Sequence, residues 1–68
     1  MTLAIDEEMV EIPLEVIFIN SKIIFATDGD IRIWLPLRRL IYDSDELMID
    51  TLVNFTMAEW LAEYKGLI

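Results

Sequence analysis

Carboxylates are the only abundant side chains in this sequence that could carry chemistry. Asp and Glu number 13, whereas the chain has no Cys and no His. Without those two residue types there is no thiol nucleophile, no imidazole base and no zinc site of the usual kind. The only serines, Ser21 and Ser44, lie in predicted turns and have no base to activate them. We therefore expect a protein that is not an enzyme and that uses no metal or cofactor.

The acidic segment Asp43-Ser44-Asp45-Glu46 is the part of the sequence that most resembles a metal-binding loop. It matches a fragment of a calcium loop but lacks the Gly at the sixth position and the Glu at the twelfth position that shape an EF-hand. A solvated loop is the better interpretation. Asp28 and Asp30, which flank Gly29, are likewise typical of a turn.

The charges are segregated along the chain. Lys and Arg number five, so the formal net charge is −8. Acids without any base occupy residues 2–21 and 40–64, whereas all of the positive charge except Lys65 lies between Lys22 and Arg39. This balance disfavours binding to phosphate backbones by bulk charge. It predicts either a solubilising surface or a negative face that steers the protein towards a basic partner.

Eight residues are candidates for contacts with a partner. Trp34 either packs under a helix or at a subunit contact, or serves as a binding hot spot or base-stacking platform. The doublet Arg38-Arg39, with Arg32, either pairs with the chain's own carboxylates or clamps a phosphate or carboxylate. The acidic candidates are Glu11, Glu15, Asp43, Asp45 and Glu46.

Alternating apolar residues predict five short strands. The first strand carries Val10, Ile12, Leu14, Val16 and Phe18 on one face, and Pro13 requires an edge there because it cannot donate a ladder hydrogen bond. Turns at Asn20-Ser21 and Asp28-Gly29 then predict a three-stranded meander. A 3₁₀ turn is expected after Pro36. The remaining predicted strands lie at 22–26, 31–35, 40–42 and 51–55.

A helix over residues 57–65 is predicted to end the chain. Thr56 and Glu59 have the spacing of a capping box. Met57, Trp60, Leu61 and Tyr64 form one apolar stripe, which places Trp60 in the core. Gly66 is suited to the left-handed conformation that ends a helix.

Together these elements predict one domain, residues 1–68, with a short acidic lead-in at 1–8 that we expect to fray. The fold class is mainly β (α+β), as a small curved antiparallel sheet or a partly open SH3-like or OB-like barrel with one C-terminal helix. Hydrophobic residues make up 56% of the chain. So many apolar residues in so small a domain should leave some exposed, which is consistent with either a monomer that binds partners or a homo-oligomer, most simply a homodimer. No transmembrane span or signal peptide is expected, and the absence of Cys fits the cytoplasm.

Two segments resemble a group of small proteins found in phages and prophages. Members of that group carry a Trp-aliphatic-Pro-Lys-Ser-Gln segment and end in Pro-Glu-Trp-Leu-Ala…Lys-Gly-Leu-Ile. This chain has Ile33-Trp34-Leu35-Pro36 and ends in Glu-Trp-Leu-Ala-Glu-Tyr-Lys-Gly-Leu-Ile over residues 59–68. It departs from the group at Leu37-Arg38-Arg39, which replaces Lys-Ser-Gln, and at Met57-Ala58, which replaces the Ile/Val-Pro pair. The resemblance implies a phage setting and a bacterial host, and it implies no mechanism.

Three functional hypotheses remain open. The first is an acidic, non-enzymatic phage-type protein that binds, and thereby inhibits, a basic host protein of nucleic-acid handling or defence. The second is a small barrel that binds nucleic acid or a recombination complex through Trp34 and the arginines Arg32, Arg38 and Arg39. The third is a self-assembling structural accessory whose apolar surface serves only an oligomer interface.

Overall fold

A computed structural model describes residues 8–43 and 46–68. Within these residues the chain forms five strands in one open antiparallel sheet, with the order β3-β2-β1-β5-β4. The elements are β1 (Met9–Ile19), β2 (Ile23–Thr27), β3 (Arg32–Pro36), a 3₁₀ turn (Leu37–Arg39), β4 (Ile41–Tyr42), β5 (Leu52–Ala58) and α1 (Glu59–Tyr64). The prediction of a mainly β fold with one C-terminal helix, including the β1-β2-β3 meander, is confirmed. The sheet does not close into a barrel.

The long strand β1 lies at the centre of the sheet and changes partner along its length. Residues 9–15 pair with β5, and residues 15–19 pair with β2. Pro13 lies opposite Asn54 of β5, in a part of β1 that β2 does not reach. The missing N–H of Pro13 therefore breaks no ladder, and the predicted edge at this residue is confirmed.

A β-bulge at Ile17 interrupts the alternation of β1. Val16 lies opposite Ala26, but Phe18 lies opposite Phe25, so two steps along β1 correspond to one step along β2. An extra residue in one strand moves every following side chain to the other face. The prediction that Phe18 shares the face of Val10 to Val16 is therefore wrong: Phe18 is 47% exposed, and Ile19 packs against the core instead.

The core lies on one face of the sheet, which we call the inner face. Alternate residues of every long strand point to it, as the period of two requires. Leu14, Ile24, Leu35 and Phe55 are fully buried there, and Leu61 of α1 belongs to the same buried cluster. The opposite face, which carries the intervening residues of each strand, is called the outer face.

Side-chain oxygens fix the two hairpin turns of the meander. Asn20 Oδ1 accepts hydrogen bonds from the backbone N–H groups of Lys22 and Ile23, so the first loop has three residues instead of the predicted two. In the second turn Gly29 has a φ of +106°, which confirms the need for glycine after Asp28. Asp28 Oδ1 accepts from the N–H groups of Asp30 and Ile31 at 2.8 and 3.0 Å.

The helix α1 differs from its prediction at the N-terminus. Thr56 and Met57 belong to β5, so no capping box forms, and the helix begins at Glu59 without a side-chain cap. The predicted apolar stripe begins at Met57, which lies in β5, so it does not match the buried face of α1. Leu61 and Ala62 are buried, whereas Trp60 is 48% exposed and its prediction as a core residue is wrong.

The end of the helix follows the prediction closely. Gly66 has a φ of +81°, its N–H donates to the carbonyl of Glu63, and the N–H of Leu67 donates to that of Ala62. This hydrogen-bond pattern is the Schellman motif, which favours Gly at its left-handed position. At the other end of the chain, the acidic lead-in falls on residues 1–8, of which only Glu8 is described; its carbonyl accepts from the N–H of Glu59.

Candidate binding surface

Three aromatic side chains form a row across the outer face, one from each strand of the meander. The register places Phe18 opposite Phe25 and Phe25 opposite Trp34. The ring centroids of Phe25 and Trp34 are 4.4 Å apart, and those of Phe18 and Trp34 are 6.1 Å apart in an edge-to-face arrangement. Trp34 is 47% exposed. We call these three residues the aromatic row.

Charged residues lie directly beside the aromatic row. The next row of the outer face runs from Glu15 through Thr27 to Arg32. Glu11 follows on the same face of β1, opposite Thr56 of β5. Both glutamates are exposed, and no Lys or Arg in residues 8–43 or 46–68 forms a salt bridge with either. We call Glu11 and Glu15 the acidic strip.

Further exposed apolar side chains border the acidic strip. Leu52 lies opposite Glu15 and is 72% exposed, and Ile41 lies on the outer face opposite Thr56. Met9, at the start of β1, shares this face. Exposed large apolar residues therefore lie at both ends of the outer face, with carboxylates between them. A surface of this kind is characteristic of a contact with another macromolecule.

The sequence pointed to only part of this surface. Trp34 lies on the face opposite Ile33 and Leu35, as predicted, and it does not pack under the helix. Phe25 could have been assigned to the same face, because it alternates with the core residues Ile24 and Ala26. Phe18 could not, because no residue type marks the bulge at Ile17.

The two adjacent arginines lie apart from the aromatic row. Arg38 and Arg39 are in the 3₁₀ turn and border a groove with Met9, Ile41 and Leu61. The guanidinium carbon of Arg39 lies 5.8 Å from the ring centroid of Trp60, within the range of a cation–π contact. Neither arginine forms a salt bridge with a carboxylate in the described part of the chain. Within the described residues, therefore, nothing supports the interpretation that Arg38 and Arg39 pair with the chain's own acids.

The remaining acidic candidates lie in the loop between β4 and β5. Asp43 and Glu46 are exposed, and Asp45 lies outside the described residues. Asp43 borders a shallow depression with Leu52, Val53 and Asn54. Within the ranges 8–43 and 46–68, no three acidic side chains converge as metal ligands. The structure thus places Trp34 on the same face of the sheet as Glu15 and Glu11, and places Arg38, Arg39, Asp43 and Glu46 elsewhere.

One carboxylate in the hairpin tip has a perturbed acidity. Hydrogen bonds from the backbone amide of Ile31, and then of Asp30, lower the pKa of the Asp28 carboxyl below its ordinary value. Asp28 is fully solvent-exposed, so this shift reflects turn geometry. It does not indicate a buried acid or base for catalysis.

Comparison with known proteins assigns no relative to this chain. No protein-family model matches it, and neither the curated proteins nor the solved structures contain a significant match. The described helix has six residues, and no helix in the described ranges is long and apolar enough to cross a bilayer.

Proposed function

We propose that the protein is a small, non-enzymatic, phage-type interaction protein that binds a basic host protein through the outer face of its sheet. One observation carries this proposal: on the outer face the exposed aromatic row lies next to Glu15, and neither Glu15 nor Glu11 forms a salt bridge with a Lys or Arg of the described chain, although Arg32 ends the row of Glu15. The aromatic row provides the apolar anchor, since Trp side chains in well-packed contacts dominate binding energy. The acidic strip provides the electrostatic preference.

The chemistry of the surface defines the partner. An apolar pocket is needed for Trp34, and Lys or Arg side chains must lie beside that pocket to meet Glu15 and Glu11. Charge complementarity of this kind accelerates association and excludes acidic partners. Proteins that handle nucleic acids carry basic surfaces for phosphate contacts. An acidic protein that occupies such a surface blocks nucleic-acid binding by that host protein. The phage-like C-terminal segment fits this role.

A tagged pull-down from bacterial lysate, with protein identification, tests the proposal. We expect a basic protein to be retained at low salt and released at high salt. Trp34→Ala and the pair Glu11→Lys/Glu15→Lys should each abolish its retention. Tyr64→Ala and Glu63→Lys, an aromatic truncation and a charge reversal at exposed residues of α1, are controls and should retain it. A partner whose retention is indifferent to salt and to both outer-face variants would refute the proposal.

Nucleic-acid binding is a second candidate, favoured by one specific feature. The aromatic row has Arg32 in the adjacent row, and exposed aromatic side chains on an open sheet are a recurrent platform for unpaired bases. The other two arginines of that hypothesis lie in the 3₁₀ turn, and Glu15 shares the row of Arg32. We therefore rank it below protein binding. Saturable binding of a labelled single-stranded oligonucleotide at physiological salt, lost in Trp34→Ala, would reverse this order.

A further inference from the structure

The outer edge of β3 offers unpaired backbone groups. Leu37 N–H donates to the carbonyl of Lys22 at 2.8 Å, which fixes the phase of the β2–β3 ladder. Because hydrogen-bonded pairs alternate in an antiparallel ladder, the N–H and C=O groups of Arg32 and Trp34 point away from β2. No described residue pairs with them on that side. A free edge of this kind is a template for another strand.

The segment around β3 is complementary to itself in the antiparallel direction. Its N-terminal end carries the acids of the hairpin tip, Asp28 and Asp30, and its C-terminal end carries Arg38 and Arg39. If two copies pair antiparallel with Trp34 opposite Trp34, Arg32 of one copy lies opposite Pro36 of the other. The acidic tip of each copy then lies beside the arginines of the other. Opposite charges in this arrangement stabilise a cross-strand pair, and no two like charges lie directly opposite each other.

We propose that the β3 edge pairs with β3 of a second copy of this chain, forming a twofold dimer with one continuous ten-stranded sheet. The twofold axis passes beside Trp34, so each contact occurs twice, as in any isologous interface. The aromatic row of one copy continues into that of the other. The partner is a second copy of this chain because Asp30 and Arg38 lie at matching distances on either side of Trp34. A strand from an unrelated protein would have to carry the same two opposite charges at the same spacing. This inference is independent of the proposed function, because it concerns the strand edge and the self-complementary charges.

Charge reversal at Asp30 and Arg38 provides the decisive test. Both side chains are exposed, and the Asp30 side chain accepts none of the turn's hydrogen bonds. We expect sedimentation equilibrium to give a mass that rises from 8.0 kDa towards twice that value with concentration. Asp30→Arg and Arg38→Asp should each raise the dissociation constant about tenfold or more, because two like-charged contacts replace two attractive ones.

Mixing the two variants should restore association. In the mixed dimer, Arg at position 30 of one copy meets Asp at position 38 of the other, and the second contact is the native one. The double variant D30R/R38D should dimerise for the same reason. Glu63→Arg in α1 and Lys65→Asp just after it make equal changes of charge, and they should leave the dissociation constant unchanged. Circular dichroism of each variant establishes that it is folded.

Amide hydrogen exchange locates the interface independently of any substitution. The N–H groups of Arg32 and Trp34 should exchange quickly in dilute protein and become protected as concentration rises. Those of Ile33 and Leu35, which point to β2, should stay protected throughout. A monomeric mass at all concentrations would overturn the proposal. So would a dimer that ignores both charge reversals, or protection of Arg32 and Trp34 only when a foreign protein is added.

Discussion

The rings of Phe25 and Trp34 lie with their centroids 4.4 Å apart on adjacent strands, tilted by 31°, on the side of the sheet away from the core. Aromatic pairs usually contribute to a fold by being buried, but here half of the Trp34 surface remains in solvent. The contact holds the indole of Trp34 in one orientation and leaves about half of the side chain accessible to solvent. A side chain that is already ordered loses less conformational entropy on binding.

This relationship predicts that Trp34→Ala weakens partner binding strongly but lowers the stability of the fold only slightly. The variant should lose about 1–2 kcal/mol of unfolding free energy, because it removes one aromatic contact and a side chain that is only partly buried. Binding of the proposed partner should weaken more than tenfold, as expected for a hot spot. Urea denaturation and a titration with the captured partner measure the two effects. Tyr64→Ala, a substitution of a more exposed aromatic residue away from the aromatic row, should change neither by much.

The bulge at Ile17 predicts that the fold tolerates a polar substitution better at Phe18 than at Ile19. A regular strand would predict the opposite. Ile19→Thr should destabilise the protein by about 1–3 kcal/mol, because it places a hydroxyl against the core. Phe18→Thr should cost less, about 1 kcal/mol, because Phe18 lies on the outer face. Chemical denaturation of both variants gives the comparison. A greater loss in Phe18→Thr would place Phe18 in the core and contradict the bulge.

Much of this fold could be predicted because the local signals agree with one another. The alternation of β1 as far as Val16, the Asp28-Gly29 turn and the Gly66 helix end each have a specific backbone requirement, and the structure satisfies each one. Two errors share a different cause. The bulge at Ile17 and the assignment of Thr56 and Met57 to β5 are set by pairing with other strands. Their determinants are therefore distant in sequence.

The candidate site was less predictable than the fold for the same reason. The regular alternation of β3 predicts the outer-face position of Trp34. Its neighbour Phe18 depends on the bulge, and the adjacency of Glu15 to the aromatic row depends on the register of β1 against β2. Arg39 is close to Trp60 only because the 3₁₀ turn and α1 approach each other in the folded chain. Residue types therefore identified the candidates, and only the register showed which of them lie together.

The alternation of β5 predicts opposite outcomes for two of its residues. Phe55 is fully buried and packs edge-to-face with the Tyr42 ring, whereas Leu52 is largely exposed. Phe55→Ala should cost about 3–5 kcal/mol. A domain of this length has roughly 3–10 kcal/mol of stability, so the variant should be partly or wholly unfolded at 25 °C. Leu52→Ala should remain within about 0.5 kcal/mol of the parent. Thermal denaturation followed by circular dichroism distinguishes the two.

The lowered pKa of Asp28 predicts a contribution to acid sensitivity from the hairpin tip. The amides of Ile31 and Asp30 favour the carboxylate form in the folded chain. In the unfolded chain the group has its ordinary pKa of about 3.9. Its stabilisation is therefore complete at pH values above that ordinary pKa, and it is lost as the pH falls through the lowered pKa of the folded state.

Asp28→Asn isolates this contribution, because an amide oxygen can still accept the turn hydrogen bonds but cannot titrate. We expect the unfolding free energy of the variant to fall less than that of the parent between pH 5 and the acid limit of folding. Urea denaturation at a series of pH values measures the difference. Asp30→Asn is the matched control, since the Asp30 carboxylate accepts none of these bonds, and it should keep the parent's pH dependence. Identical pH profiles for Asp28→Asn and the parent would show that the turn does not stabilise the carboxylate.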